Sequence, residues 1–260
     1  MAIPKIIHYC WFGNNPKSEL FKKCIESWKN ILPDYEIIEW NESNFDVNCC
    51  NYVREAYEAK KWAFVSDYAR FYAVHEMGGI YLDTDIEVLK SFDDLLDCGA
   101  FFGFGNIDLT VPIFGAEQKH KCIKDVMDEY NTKRFKIGDN KYDMSAIELT
   151  VGKVLTNKYE LVMNGIYQKL PFDIILYPKE YFMARDYRTG VIKMNPNLHI
   201  IHYGEGSWLE DKDRLLLEYQ HKFVKLFGEK LGVIIGKSIF IIKYEGIISF
   251  INILIRKVKR

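Results

Sequence analysis

Two adjacent glycines constrain this chain more tightly than any other feature. Gly78-Gly79 separate a helical pattern over residues 51–77 from a run, Ile80 to Val88, that alternates cleanly between two faces. Glycine adopts the left-handed backbone that ends a helix without the steric cost a side chain adds, so the helix stops here and a strand starts at Ile80. Ile80, Leu82, Thr84, Ile86 and Val88 share one face of that strand, and Tyr81, Asp83, Asp85 and Glu87 share the other. A helix that runs into a strand with no linker is the joint of an α/β layer.

The N-terminal sequence repeats that logic. A β-rich run, Ile3 to Phe12, stops at the turn Gly13-Asn14-Asn15-Pro16. Ser18 then caps a helix to about Asn30, with Leu20, Phe21, Cys24, Ile25 and Trp28 at helical spacing. Pro33-Asp34 turns the chain into a strand over Glu36 to Trp40, and strand, helix, strand is how a parallel sheet begins. Short strands are expected at Ala100 to Phe104, Val111 to Ala116, Ile174 to Tyr177 and Leu198 to His202, with helices near Lys119 to Tyr130, Ser145 to Asn157 and Glu210 to Phe227. This predicts one α/β domain over residues 1–227, a mainly parallel sheet flanked by helices, in a chain of 260 residues that is long enough to bury a core unaided.

Residues 228–260 differ. Leu231 to Ile255 is rich in Ile, Val and Phe and closes on Arg256-Lys257-Val258-Lys259-Arg260. Lys237, Lys243 and Glu245 interrupt it, so it falls short of the ~20 predominantly apolar residues of a spanning helix. The composition fits a segment lying on an anionic membrane surface with its lysines kept wet, or else a helix pair packed on the domain. A formal net charge of −1 leaves no electrostatic footprint for nucleic acid. The six scattered cysteines lack C-x-x-C spacing and the N-terminus lacks the features of a signal peptide, which together suggest reduced thiols in a cytoplasm. Aromatic residues at 15% are read first as a Tyr- and Phe-rich core.

Asp83 and Asp85 are hard oxygen ligands at i and i+2, a spacing that suits one shared Mn2+ or Mg2+. Such a cation neutralises charge on a departing diphosphate, as a sugar-nucleotide donor requires. An isolated D-x-D is more often a solvated acidic pair. A phosphatase of the haloacid dehalogenase type also places D-x-D after an apolar strand, with the first Asp as nucleophile, but Glu87 stands where that motif has Thr or Val. A transferase-like scaffold without turnover, docked on membrane, is the non-enzymatic alternative.

The composite Ser66-Asp67-Tyr68-Ala69-Arg70 and Gly78-Gly79-Ile80-Tyr81-Leu82-Asp83-Thr84-Asp85 resembles the sugar-binding D-x-D region of family-32 glycosyltransferases and the related large clostridial glucosylating toxins. His8-Tyr9-Cys10-Trp11-Phe12-Gly13 looks like the segment with which that superfamily holds the nucleotide base. His202-Tyr203-Gly204-Glu205-Gly206-Ser207-Trp208 resembles its C-terminal H-x-x-x-G-S-W loop. The resemblance covers roughly the first 90 residues and 199 to 208. It implies a GT-A-like fold and a retaining, metal-dependent hexosyltransferase. UDP leaves with the help of the metal, and its diphosphate takes the acceptor proton on the same face.

By that resemblance Trp11 stacks on uracil, Asp67 binds donor-sugar hydroxyls, and Arg70 contacts the sugar or diphosphate. Tyr81 lines the donor pocket, Ser207 and Trp208 close over the diphosphate, and His202 joins Asp83 and Asp85 as the third metal ligand. Taken without it, Asp67 and Arg70 at i and i+3 are a surface ion pair, and Trp11 and His8 are core residues. The acceptor is expected to be a glycan, lipid-linked, in bacterial capsule or lipopolysaccharide synthesis. Family members often carry a Gly-Pro step where this chain reads Asp143-Met144-Ser145-Ala146-Ile147-Glu148-Leu149-Thr150, so no acceptor residue is assigned, and a helix-capping Asp or Ser explains the segment ahead of an Asp143 that points at the acceptor hydroxyl.

Overall fold

A computed structural model gives the fold of residues 2–106, 108–139, 141–204, 206 and 211–248. In chain order the elements are β1 (Ile6–Cys10), α1 (Glu19–Ile31), β2 (Glu36–Trp40), α2 (Asn51–Glu58), α3 (Trp62–Met77), β3 (Gly79–Leu82) and β4 (Ile86–Val88). There follow β5 (Ala100–Phe104), β6 (Leu109–Ala116), α4 (Lys121–Tyr130), β7 (Lys136–Gly138), β8 (Lys141–Tyr142) and α5 (Ile147–Tyr159). The chain then forms β9 (Gln168–Leu170), β10 (Ile174–Tyr177), β11 (Ile200–His202) and α6 (Asp211–Tyr244). It divides into two compact units, Met1–Ala184 with Met194–Tyr203, and Arg185–Lys193 with Gly204–Arg260.

The first unit is built on a seven-stranded sheet in the order β2-β1-β3-β6-β5-β10-β9. β1 runs parallel to β2 and β3, and β10 parallel to β5, while β6 is antiparallel to both its neighbours and β9 to β10. Two hydrophobic clusters cover its faces. One contains Tyr81 with buried residues of α2, α3, α4 and α5, and the other contains Ile80 and Leu82 with Phe21 and Trp28 of α1. The alternation of β3 therefore sorts side chains between two cores, which is why Tyr81, on the nominally polar face, is also buried.

Two expectations need correction. The run from Ile80 to Val88 is not one strand: β3 ends at Leu82, the chain turns through Asp83–Asp85, and β4 joins β11 in a separate two-stranded sheet. Asp83 N–H donates to Pro112 C=O (2.9 Å), Ile86 N–H to Asp83 C=O (3.1 Å) and Tyr203 N–H to Asp85 C=O (3.0 Å). Ile80, Leu82, Ile86 and Val88 stay buried, so the hydrophobic alternation survives a break in the backbone. The pattern over 51–77 is likewise two helices. Lys60, at φ +57°, ends α2, and Lys61 N–H reaches back to Ala56 C=O at 2.9 Å.

Ser18 caps α1 as expected, its side chain accepting from Phe21 N–H. That helix fixes the second sheet in turn: Trp28 Nε1 donates to Ile86 C=O at 2.7 Å and Val88 N–H to Ser27 Oγ at 2.9 Å. In the second unit Gly228 (φ +77°) interrupts α6. Its two arms pack so closely that a Cβ on Gly232 meets Val224 Cα at 2.3 Å and one on Gly236 meets Gln220 Cα at 2.8 Å.

At the helix-to-strand joint, Gly78 (φ +69°) and Gly79 (φ +108°) both use backbone that side chains rarely adopt. A Cβ on Gly79 also lies 2.6 Å from the Ile6 carbonyl oxygen of β1. Gly79→Ala is expected to destabilise the chain by about 1–3 kcal/mol, read as a lower urea midpoint at unchanged m-value.

Candidate active site

Asp67 and Arg70 lie one turn apart on α3, which Gly78 ends directly before β3. The ion pair between them, 3.3 Å from Nη2 to Oδ1, is buried, with side-chain exposures of 7% and 12% for Arg70 and Asp67. It is thus not the exposed pair that spacing alone suggests. Arg70 Nη1 lies 3.3 Å from Asp83 Oδ1 and donates to Val111 C=O, while Nε donates to Ser66 C=O. Its guanidinium sits 4.6 Å from the centroid of the Tyr81 ring, and Tyr81 OH donates to Asp83 Oδ1 at 2.8 Å. Burial works against the charge of Arg70, but Asp83, Tyr81 and Asp67 outweigh it and hold the guanidinium firmly protonated.

The carboxylates feel the opposite force. Burial raises Asp67 to about 7, more than Arg70 offsets. Burial likewise raises Asp83, again against Arg70 and with Asp85 adding repulsion. In His202 burial would lower the imidazole pKa, yet Asp85 and Asp83 raise it above the ordinary value. His202 Nε2 stands 3.3 Å from Asp85 Oδ1. One ligand atom from each of Asp83, Asp85 and His202 falls within 4.8 Å of the others. Carboxylate oxygens with an imidazole nitrogen fit Mn2+ or Mg2+, and three protein ligands leave coordination positions for phosphate oxygens. The turn at Asp83–Asp85 is what brings the two carboxylates and β11 to one point.

Asp67, Arg70, Tyr81, Asp83, Asp85 and His202 thus stand together. Trp11 sits just past β1, half-buried, its N–H bonded to Trp40 C=O, its Nε1 donating to Asn15 C=O at 2.9 Å, and its ring 5.1 Å from Phe21. Gly13 (φ +87°) follows, with its N–H on Glu42 Oε1 at 2.8 Å and no room for a Cβ, which would meet the Trp62 ring at 2.5 Å. Ser207 and Trp208 lie outside the described residues. His8 is a core histidine, lowered to about 4 by burial, with Nε2 on Gly78 C=O and Nδ1 accepting from Trp40 Nε1. His199, which the sequence places on the opposite face from His202, bonds Asn197 C=O and Asp94.

Sequence reasoning left out Glu148. Asp143 serves Ser145, whose N–H donates to its Oδ1 at 3.0 Å, whereas Glu148 on the first turn of α5 is raised by burial while feeling Arg70, Asp108 and Asp83. An acidic residue inside an apolar helical pattern was its only sequence signal.

Residues 18–101 match the family described as a glycosyltransferase sugar-binding region containing a DXD motif. That segment is a DXD-type glycosyltransferase sugar-binding region. Inositol phosphoceramide mannosyltransferase 3 of Schizosaccharomyces pombe (strain 972) is 30% identical over 102 residues, covering 36% of this chain and 28% of that protein. The chain therefore spans little more than a quarter of that relative's length. Among solved structures, PaToxG glycosyltransferase superposes with a TM-score of 0.50 at 17% identity, over 60% of this chain and 69% of that one. The first unit has the GT-A glycosyltransferase fold.

A carboxyl whose pKa is raised by folding holds its proton more tightly in the folded chain. The stability it contributes is full below the unfolded value of about 3.9 and is lost as pH rises through about 7. Asp67→Asn is therefore expected to stabilise the metal-free protein by roughly 1–3 kcal/mol at pH 7.5 and by little at pH 4. Thermal melts of both proteins across that range check it, and equal differences at both ends contradict the assignment.

Proposed function

We propose that this chain is a retaining, metal-dependent glycosyltransferase that moves a hexose from a UDP-sugar to a glycan acceptor. The observation that carries the reading is the convergence of Asp83, Asp85 and His202 beside the buried Arg70–Asp67 pair. A divalent cation held by those three residues would neutralise charge on the departing diphosphate. The other roles belong to the chain itself. Arg70 orients Asp67 and Asp83, and Asp67 Oδ2, which makes no hydrogen bond among the described residues, accepts from donor-sugar hydroxyls. Tyr81 fixes Asp83 through its hydroxyl. Trp11 stacks on uracil at the C-terminal edge of β1, where open α/β sheets bind nucleotides, and Ser207 and Trp208 close over the diphosphate.

In the transfer, the bond from the anomeric carbon to the diphosphate oxygen breaks as a bond to the acceptor oxygen forms on the same face. The acceptor proton passes to the leaving diphosphate. A lipid-linked glycan is the proposed acceptor, supported by a relative named for a lipid substrate, inositol phosphoceramide. The setting is bacterial capsule or lipopolysaccharide synthesis, in the cytoplasm at the inner face of the plasma membrane.

Screening UDP-glucose, UDP-galactose and their N-acetyl forms for Mn2+-dependent hydrolysis tests the assignment. Activity should vanish with chelator and return with Mn2+, and undiminished activity in chelator overturns it. Asp85→Asn should lower kcat roughly 10²–10³-fold with unchanged circular dichroism, since it removes a charge from the site and no side chain from the hydrophobic clusters. Trp11→Ala should act mainly on KM, because stacking, worth about 1–3 kcal/mol, is shared by ground and transition states. A fall in stability at unchanged KM would instead make Trp11 a core residue.

A further inference from the structure

One face of the second arm of α6 is buried, as is Ile241 beside it, and an apolar stripe on the other side is exposed. Gly232, Gly236 and Phe240, four residues apart, are buried against the first arm, where Tyr219 meets the Phe240 ring at 6.0 Å. At about 100° per residue, Leu231, Ile234 and Ile242 fall roughly on the opposite side. They are 61%, 61% and 42% exposed. Lys230 and Lys237 border this stripe along one edge, while Lys243 turns to the first arm, where its Nζ donates to Tyr219 OH at 2.8 Å. From residue 222 to 245 the charges are Lys222, Lys225, Lys230, Lys237 and Lys243 against Glu229 and Glu245, which are paired with Lys193 at 3.1 Å and with Lys212 at 2.7 Å.

We propose that this stripe is a docking surface for an anionic lipid bilayer, on which the arm lies flat with Leu231, Ile234 and Ile242 in the headgroup boundary. The inference deepens the reading of a lipid-linked acceptor by naming the surface that brings the chain to it. Charge selects the occupant. Lysines beside an apolar stripe extend their stems along it and place their ammonium groups among lipid phosphates, whereas a second copy of the same stripe would set lysine against lysine. Among the described residues no helix is long and apolar enough to cross a membrane.

The test is co-sedimentation of the full chain with phosphatidylcholine vesicles, with and without about 30% phosphatidylserine, at low and high salt. The wild type should prefer the anionic vesicles and lose that preference in high salt. Leu231→Ser/Ile234→Ser and Lys230→Glu/Lys237→Glu should each weaken binding at least about tenfold while circular dichroism stays unchanged. Equal binding to both vesicle types, or variants that bind like the wild type, overturns the proposal. So does a dimer in sedimentation velocity that the serine variant dissolves, which would show a second copy on the stripe. Mn2+-dependent donor hydrolysis is measured alongside: its absence with intact vesicle binding refutes the catalytic reading and leaves the docking surface standing.

Discussion

The first unit is organised around one buried guanidinium. Arg70 comes from a helix whose C-terminus runs straight into β3, and it bonds Asp83 at the far end of that strand, Asp67 on its own helix, and the Val111 carbonyl of β6. Helix, strand and neighbouring strand are thereby held to one polar point inside an aromatic core. Such a point is costly to bury. Removing two or three charges from water costs several kcal/mol each, and attraction offsets this only when most donors and lone pairs are met. Arg70 satisfies both requirements with contacts to Asp67, Asp83, Ser66 and Val111. A lysine, with a point charge and no fork, could not span the same partners.

That requirement explains why the polar turn sits where it does. The β3 strand is buried on both faces, so its end is the first place where carboxylates can meet both protein charge and solvent. Asp83, with a side chain 25% exposed, links two groups: Arg70 on one side and Asp85 with His202 on the other. Trp28 and Ser27 hold β4 from below, and Tyr203 N–H holds Asp85 from β11. The site is a junction of two sheets, and no single element carries it.

How much of this was legible follows from the range of the interactions involved. The Gly78-Gly79 joint, the Ser18 cap and the Asp67–Arg70 spacing are local, and each appears in the structure where the sequence placed it. The break at Asp83–Asp85 depends on Pro112 and Tyr203, which are distant in sequence, and hydrophobic alternation continues across it undisturbed. The break after α2 was hidden for a different reason: Lys60 takes the left-handed conformation there without the glycine that usually announces it. Glu148 faces the cluster because β6 and α5 pack together, a tertiary fact with no signature in its own segment. Burial of the Arg70 pair was also out of reach, since spacing gives direction along a helix and says nothing of what covers it.

The same cluster sets the terms on which a ligand can enter. Asp67, Asp83, Asp85 and Glu148 gather around Arg70 and His202, and burial raises the pKa of Asp67, Asp83 and Glu148. A diphosphate brought alone to this surface would meet mostly like charge at short range, in a low-dielectric setting where repulsion is strong. A dication placed among Asp83, Asp85 and His202 reverses that sign, and because binding linkage is reciprocal, whatever anion then binds must tighten the cation in return. The neighbouring aspartates raise the His202 pKa, so a proton there would compete with a cation for the imidazole lone pair. On the proposed reading, the carboxylates whose burial costs the metal-free fold would be the ones that make cation and anion bind as a pair, and Arg70 holds Asp67 and Asp83 in position for it.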